Sequence, residues 1–358
     1  MRAAVTRPGW IEVTEVDDPV PASGHVLVRP LLCGICGSDL HAAQDLPRFA
    51  DLSTQVGLPG GLDPDRGVVF GHEFCAEIVE HGPDTTGALA VGTRVCSVPT
   101  ILGPTGPEAL GYSNRYPGAL GELMVLQEAL LLPVPDGLST ELAALTEPLA
   151  VGEHAVGLAR LTGDEVCLVI GCGPVGLAVI AALKAHGHGP VVAADFSPTR
   201  RRLAESVGAD EVVDPAETSP YGRWDELGVP SNLLDRAARE MFGMAFKEAV
   251  IFEAVGVPGV LQAIVDGAPP RARIVVVGVC LEPDEIRPFF GVVKELEVRF
   301  AFGYTAAEFA ATLDRLAAGQ LAVGELVTDV VDLDGAPGAF ATLASPGDHG
   351  KILVRHGG

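Results

Sequence analysis

Val169-Ile170-Gly171-Cys172-Gly173-Pro174-Val175-Gly176 is the stretch on which the fold turns. An apolar, strand-like run (Glu165–Ile170) precedes it, and a helix-compatible run from Pro174 to about His186 follows. A G-x-G-x-x-G pattern is informative only in that strand–turn–helix setting. There the first glycine permits the tight turn, the second lets the backbone approach a pyrophosphate, and the third lets the helix pack on the strand. The free amides at the helix start then face the phosphates. These roles fall on Gly171, Gly173 and Gly176, with Pro174 and Val175 between them. The next strand, Val191–Asp195, ends on a carboxylate suited to accept ribose hydroxyls and to repel a 2′-phosphate, which favours NAD over NADP. Arg200, Arg201 and Arg202 follow closely; an arginine there can serve a 2′-phosphate, or lie beside an adenine, which is the expectation for Arg200.

Outward from the turn, strands and helices go on alternating, with a helix from Pro198 to about Val207 and strands at Val212–Val213, Ala249–Glu253 and Arg273–Val279. That alternation predicts a doubly wound parallel sheet. Residues 214–246 are polar and rich in turns and take no clear assignment. From Met1 to about Pro148 the texture differs, with short β-branched runs between Gly and Pro turns, as in a small irregular β barrel or sandwich. The tail holds a helix, Ala306–Ala318, and a closing strand, Lys351–Val354. The fold class is α/β, and 358 residues suffice for two domains.

Val166–Leu183 is almost free of charge and long enough to suggest a membrane span. Its glycines and proline make a strand, a turn and a buried helix the better reading. With 24 Lys and Arg against 47 Asp and Glu, the net charge is −23. Such a surface repels phosphate backbones and anionic lipid, so neither nucleic acid nor a membrane is expected as a partner. Seven thinly spread cysteines do not make a disulfide scaffold and suit a reducing, cytoplasmic setting.

The first half carries a second signal: Cys33-Gly-Ile-Cys36-Gly-Ser38-Asp39-Leu-His41, then Gly71-His72-Glu73, then Thr146-Glu147-Pro148. Thiolate, imidazole and carboxylate are the usual ligands of zinc, and a catalytic site needs three of them plus an open position. No second C-x-x-C completes a zinc ribbon, so Cys33 reads as a core thiol.

Together these stretches resemble the zinc-dependent medium-chain dehydrogenases, in the branch that includes sorbitol, threonine and butanediol dehydrogenases. CGICGSDLH, GHEFCAEIVEHG with VGTRV, EPLAVGEHA, the glycine turn, FEAVGVPGVLQ and VVKELEV occur in the family's order. The resemblance implies a GroES-like catalytic domain (1–149 and 301–358) interrupted by a Rossmann NAD-binding domain (150–300), with Zn²⁺ and nicotinamide in the cleft between them. It implies Cys36 and His72 as zinc ligands, with Glu73 or Glu147 as the carboxylate; the sequence leaves that choice open. Asp39 would orient the ligating imidazole, or simply cap a turn. Ser38 would take the alcohol proton and pass it through the cofactor ribose to His41. The nicotinamide would pack beside Val277, Gly278 and Val279.

The resemblance thus predicts reversible oxidation of a small-molecule alcohol, expected to be secondary, to a ketone or aldehyde, in a homodimer or homotetramer. Departures from the family sharpen this. Ile101–Gly118 lacks the four cysteines that bind a structural zinc in many relatives, so one catalytic zinc per chain is expected. Phe302-Gly303-Tyr304 replaces an aromatic–arginine–aromatic set, which argues against a polyol. Leu46–Val69, with Pro47, Phe49, Leu58, Pro59, Gly60 and Gly61, is long for the family and would form a lip over the substrate mouth. Phe49, Leu58, Tyr112, Tyr116 and Phe302 either line an apolar pocket or fill the core. The rival readings are an NADPH-linked quinone or enoyl reductase on the same fold, whose members generally lack the metal ligands, and a non-catalytic NAD-binding protein.

Overall fold

The chain opens with an antiparallel hairpin, β1 (Arg2–Arg7) and β2 (Trp10–Glu15), and continues into a long strand, β3 (His25–Gly34). Two helices follow, α1 (Gly37–Gln44) and α2 (Leu46–Gln55), then a short strand β4 (Val68–Val69) that pairs with β1. Next come β5 (Glu73–His81), β6 (Arg94–Ser97), the hairpin β7 (Thr100–Gly103) and β8 (Gly106–Ala109), β9 (Met124–Gln127) and β10 (Leu131–Pro133). The computed structural model describes residues 1–58, 62–345, 347 and 349–357. Pro59, Gly60 and Gly61 of the expected lip therefore lie outside the described residues. The rest of that insertion is largely helical. Asp45 accepts the Arg48 amide as its cap, Pro47 sits in the first turn, and Leu46 and Ala50 are buried.

β3 is the strand that matters for the site. Its apolar residues are buried on both faces, and Pro30, which has no N–H to donate, coincides with a register shift against β5 between Pro30 and Leu32. Beyond the shift, Cys33 lies opposite Phe74 and Gly34 opposite Glu73. The end of β3 and the start of β5 thus run side by side just before Cys36 and just after His72.

The chain then passes through α3 (Thr140–Ala144) and α4 (Thr146–Ala159) into strands β11 (Glu165–Ile170), β12 (Val191–Ala194), β13 (Glu211–Val213), β14 (Glu248–Glu253), β15 (Arg273–Val276) and β16 (Glu297–Phe300). They form a wholly parallel sheet in the order β13-β12-β11-β14-β15-β16, the doubly wound arrangement. Helices α5 (Pro174–Ala185), α6 (Pro198–Ser206), α7 (Leu233–Met241), α8 (Val260–Gly267) and α9 (Pro288–Lys294) connect them. Gly176 to Leu183 of α5 are all buried, which accounts for the uncharged run. Among the described residues, no helix is long and apolar enough to cross a membrane.

After α10 (Ala306–Ala317) come β17 (Val327–Asp332), α11 (Ala336–Ala344) and β18 (Lys351–Arg355). β18 pairs antiparallel with β3, so the first sheet reads β10-β6-β5-β3-β18-β17, with β9 also on β3. By contacts the chain forms one unit of Met1–Pro148, Phe309–Gly319 and Val327–Gly358, and another of Leu149–Glu308 and Gln320–Leu326. The unit with the parallel sheet thus takes in residues 301–308 and 320–326, which a division at 300 assigns to the other. Glu308 has a physical reason to be there: its carboxylate meets His154 of α4 at 3.1 Å. In the first unit, Val26, Val28, Phe70, Phe74, Ile78, Leu120, Phe340 and Ile352 belong to one apolar core; Val166, Leu168, Ile251, Ile264 and Ile274 lie in that of the second.

Candidate functional site

Cys36, His72 and Glu73 converge within the first unit. Their ligand atoms, one from each residue, all lie within 4.8 Å of one another. Cys36 is the residue before α1, and its backbone N–H donates to Asp39 Oδ2 at 3.1 Å. Asp39 Oδ1 faces His72 Nδ1 at 3.4 Å, an ion-pair distance without hydrogen-bond geometry. One fully buried carboxylate therefore caps the helix and also faces the imidazole, so the two readings of Asp39 hold together. Burial pulls the His72 pKa down, but the negative charge of Asp39 and Cys36 prevails and holds it well above the usual value. Cys33 lies in the core, where burial pushes its thiol well up.

Glu73 has a partner that the sequence did not announce. Lys351 Nζ lies 2.7 Å from each Glu73 oxygen and donates to the Ile35 carbonyl at 3.1 Å; both side chains are almost wholly buried. Burial lowers the Lys351 pKa, but Glu73, Cys36 and Glu147 raise it above the ordinary value. Glu147, buried in the first turn of α4, is not a member of the 4.8 Å cluster. The signal for Lys351 is faint: a lysine opening a strand whose next residues are all apolar.

Tyr112, read from the sequence only as a residue of an apolar pocket or of the core, has a polar role that the sequence did not announce. Gly111 (φ +79°) passes so close to Gly71 that an added Cβ would lie 3.1 Å from Gly71 N and O. That approach sets the Tyr112 ring 5.3 Å from His72 and 5.6 Å from Phe70, with Phe49 of α2 at 5.3 Å on it too. Its hydroxyl is 2.8 Å from Ser38 Oγ and 2.9 Å from Asp39 Oδ1. Burial, with Asp39 and Cys36 nearby, keeps the phenol pKa well above its usual value. His41 lies half-buried in the last turn of α1, and burial lowers its pKa. Tyr116 is buried edge-on against His25 and belongs to the core, whereas Leu58 and Phe302 are exposed. Tyr112 does more than fill space, because it carries a polar network.

In the second unit the glycine turn does what its chemistry requires. Gly171 has φ +92°, and a Cβ there would come 2.7 Å from Val255 Cγ2; one on Gly176 would collide with the Gly171 carbonyl. At Gly173 a Cβ would meet nothing within 4 Å, so that backbone faces open space before α5, as approach by a phosphate needs. Asp195 just beyond β12 accepts the Cys172 and Ser197 amides, each at 2.8 Å, which fixes its carboxylate beside the turn. Arg201 is engaged by the Asp195 and Phe196 carbonyls and by Asp214, and Arg202 by Thr199. The Arg200 Nε is buried without a hydrogen-bond partner. Val277 and Gly278 donate to the Glu253 carbonyl at 2.8 and 3.0 Å, leaving Val279 exposed at the loop.

The residues fit the groups that the fold implies. Zinc–ligand bonds of about 2.0–2.3 Å put the donors of a tetrahedral ion roughly 3.3–3.7 Å apart. A thiol, an imidazole and a carboxylate already within 4.8 Å need only a small contraction. A dinucleotide-binding parallel sheet in one unit, with such a donor set in the other, defines a metal-assisted, nicotinamide-dependent oxidoreductase.

Comparison with known proteins makes the class specific. The family model "Alcohol dehydrogenase GroES-like domain" matches residues 22–136, and "Zinc-binding dehydrogenase" matches residues 174–318. (R,R)-butanediol dehydrogenase of Bacillus subtilis is 33% identical over 354 residues, covering 96% of each chain. A crystal structure of 2R,3R-butanediol dehydrogenase from Bacillus subtilis superposes with a TM-score of 0.80 at 31% identity over 99% of both chains. A zinc-binding dehydrogenase of Sinorhizobium meliloti 1021, bound to NADP, gives 0.79 at 25% identity over 99% and 98%. The chain belongs to the zinc-type medium-chain alcohol dehydrogenases, oxidoreductases that interconvert alcohols and carbonyl compounds.

Proposed function

We propose that the protein is an NAD-dependent dehydrogenase of secondary alcohols, with a vicinal diol such as 2,3-butanediol as the first substrate to test. The observation that carries this is the Cys36, His72 and Glu73 cluster in a chain that also has the glycine turn and Asp195. Cys36 and His72 would hold zinc, with Glu73 or Glu147 completing the set and Asp39 fixing the imidazole. A zinc ion held there supplies Lewis acidity that lowers the pKa of an alcohol hydroxyl, and nicotinamide supplies a hydride acceptor. Ser38 accepts the alcohol proton at Oγ. His41, whose pKa burial lowers, accepts the relayed proton as a neutral imidazole and then releases it to solvent.

Asp195 supports NAD over NADP, because its carboxylate is fixed where a 2′-phosphate would approach and Arg201 is already committed to carbonyls and Asp214. One zinc per chain is supported by the cysteine-free β7–β8 hairpin, which has its own internal staple: Ser113 donates to the buried Glu108 at 2.7 Å. β16 lies at the edge of its sheet and exposes Val298 and Phe300, which supports assembly as a homodimer, or a homotetramer built from two, through that edge. Seven free thiols fit a cytoplasmic location.

The experiment is zinc stoichiometry on the purified protein together with NADH formation on a panel of secondary alcohols, diols and polyols, with NAD⁺ and NADP⁺. About one zinc per chain and NAD⁺-dependent turnover, both lost in Cys36→Ser, are expected. A metal-free protein with NADPH-dependent enone reduction would establish the quinone or enoyl reductase instead.

A further inference from the structure

Two of the departures from the family, the long Leu46–Val69 segment and the cysteine-free Ile101–Gly118 stretch, pack against each other. Asn114 joins them: its Oδ1 accepts the Asp63 amide at 2.7 Å, and its Nδ2 donates to the Asp63 and Gly67 carbonyls at 3.0 and 2.7 Å. Phe49 from one and Tyr112 from the other stack next to His72. Phenylalanine at 112 would preserve those ring contacts. What distinguishes tyrosine is a single hydroxyl between two polar atoms of the site.

That hydroxyl has one proton and two neighbours, Ser38 Oγ at 2.8 Å and Asp39 Oδ1 at 2.9 Å. A carboxylate only accepts, whereas a serine hydroxyl can donate or accept. Were the phenol to donate to Ser38, its oxygen would face Asp39 Oδ1 lone pair to lone pair. The satisfied arrangement has Tyr112 donating to Asp39 and Ser38 donating to the Tyr112 oxygen. At rest the Ser38 proton is held on Tyr112, and its lone pairs are left for an incoming alcohol. Ser38 takes the alcohol proton only as it turns its own away from Tyr112 and releases it to the relay that ends at His41. The same bond holds Asp39, whose other contacts are the Cys36 amide and His72.

We propose that Tyr112 is a positioning residue of the dehydrogenase site: its hydroxyl orients the Ser38 hydroxyl and anchors the Asp39 carboxylate that faces His72. This rests on the reading of Ser38 as proton acceptor. Outer partners of ligand residues typically change metal affinity 10–100-fold when lost. Tyr112→Phe therefore weakens zinc binding about tenfold, measured on the metal-free protein by chelator competition. It lowers kcat about tenfold with 2,3-butanediol and NAD⁺, leaves KM within about threefold, and keeps the melting temperature within about 2 °C.

In a Ser38→Ala background the kcat effect of Tyr112→Phe disappears while the zinc effect persists, since one acts through Ser38 and the other through Asp39. The proposal is overturned if Tyr112→Phe matches the parent in both readouts, if its kcat loss is undiminished beside Ser38→Ala, or if all changes track a fall in melting temperature. A Ser38→Ala protein with unchanged kcat overturns the reading of Ser38 itself, and the proposal with it. A slow Ser38→Ala beside an unaffected Tyr112→Phe removes the proposal alone.

Discussion

Replacing Lys351 by methionine leaves Glu73 buried with no cation against it. In the intact protein Lys351 Nζ holds both carboxylate oxygens at 2.7 Å, with side-chain exposures of 2% and 1%. Solvent cannot screen or hydrate what remains once the lysine is gone. Breaking a buried pair from one side typically costs about 3–5 kcal/mol. A unit of about 150–250 residues shifts by about 2–4 °C per kcal/mol, so the melting temperature should fall by about 6–20 °C. The double variant Lys351→Met/Glu73→Leu removes both charges and should recover most of that loss, because apolar replacement of a whole pair is often nearly neutral. Arg2→Ala, which breaks only the exposed contact with Asp334, is the control and should cost less than about 1 kcal/mol. The assay is thermal unfolding of the metal-free protein at pH 7, followed by near-UV circular dichroism. A Lys351→Met protein melting within 2 °C of the parent, or a double variant no better than the single, would refute the reasoning.

Other outcomes follow from the same geometry. Gly176→Ala forces a methyl group into the Gly171 carbonyl, so NADH binding read by fluorescence should weaken by more than about tenfold. Asp195→Ser removes the fixed carboxylate; the ratio of kcat/KM for NADP⁺ over NAD⁺ should rise about tenfold or more, and no rise would mean that Asp195 does not set the preference. At Glu165, burial alone would raise the pKa, but amides of Thr162 and Gly163, the Thr162 hydroxyl and the Arg273 guanidinium hold it below the usual value. Its stabilising contribution is therefore complete above the unfolded value, near about 4.3, and is lost as pH falls through the lower folded value. Glu165→Gln should accordingly destabilise by about 2 kcal/mol in urea melts at pH 7 and progressively less below pH 4.

What was legible in the sequence is what local chemistry dictates. The glycine turn has to stand between a strand and a helix, so Gly171, Gly173, Gly176 and the end of the next strand could be placed from spacing. Cys36, His72 and Glu73 sit beside motifs with their own signatures. Lys351 and Tyr112 have none, because tertiary pairing alone brings them in. Lys351 arrives because β18 lies antiparallel to β3, with Leu353 opposite Gly34, and Tyr112 because Gly111 packs against Gly71. α7, within the unassigned residues 214–246, is only nine residues long among turns, and its apolar stripe of Leu233, Leu234, Ala237, Ala238 and Met241 is exposed rather than buried. Its buried residue is Arg236, pinned by Glu248 and Glu240, while Leu234 and Met241 are exposed.

The position of β18 in the chain has a consequence for biosynthesis. Domains generally fold as units in the order in which they leave the ribosome. The nucleotide unit, nearly all of it between Leu149 and Glu308, emerges as one stretch and has its parallel sheet complete before β17 and β18 are made. The unit holding Cys36, His72 and Glu73 begins before it and is completed after it. Until Lys351 is translated, Glu73 is a carboxylate without its cation, and β3 has an edge open where β18 will pair. The nascent chain therefore passes through a stage in which the parallel sheet is complete while the unit holding Cys36, His72 and Glu73 still lacks β18.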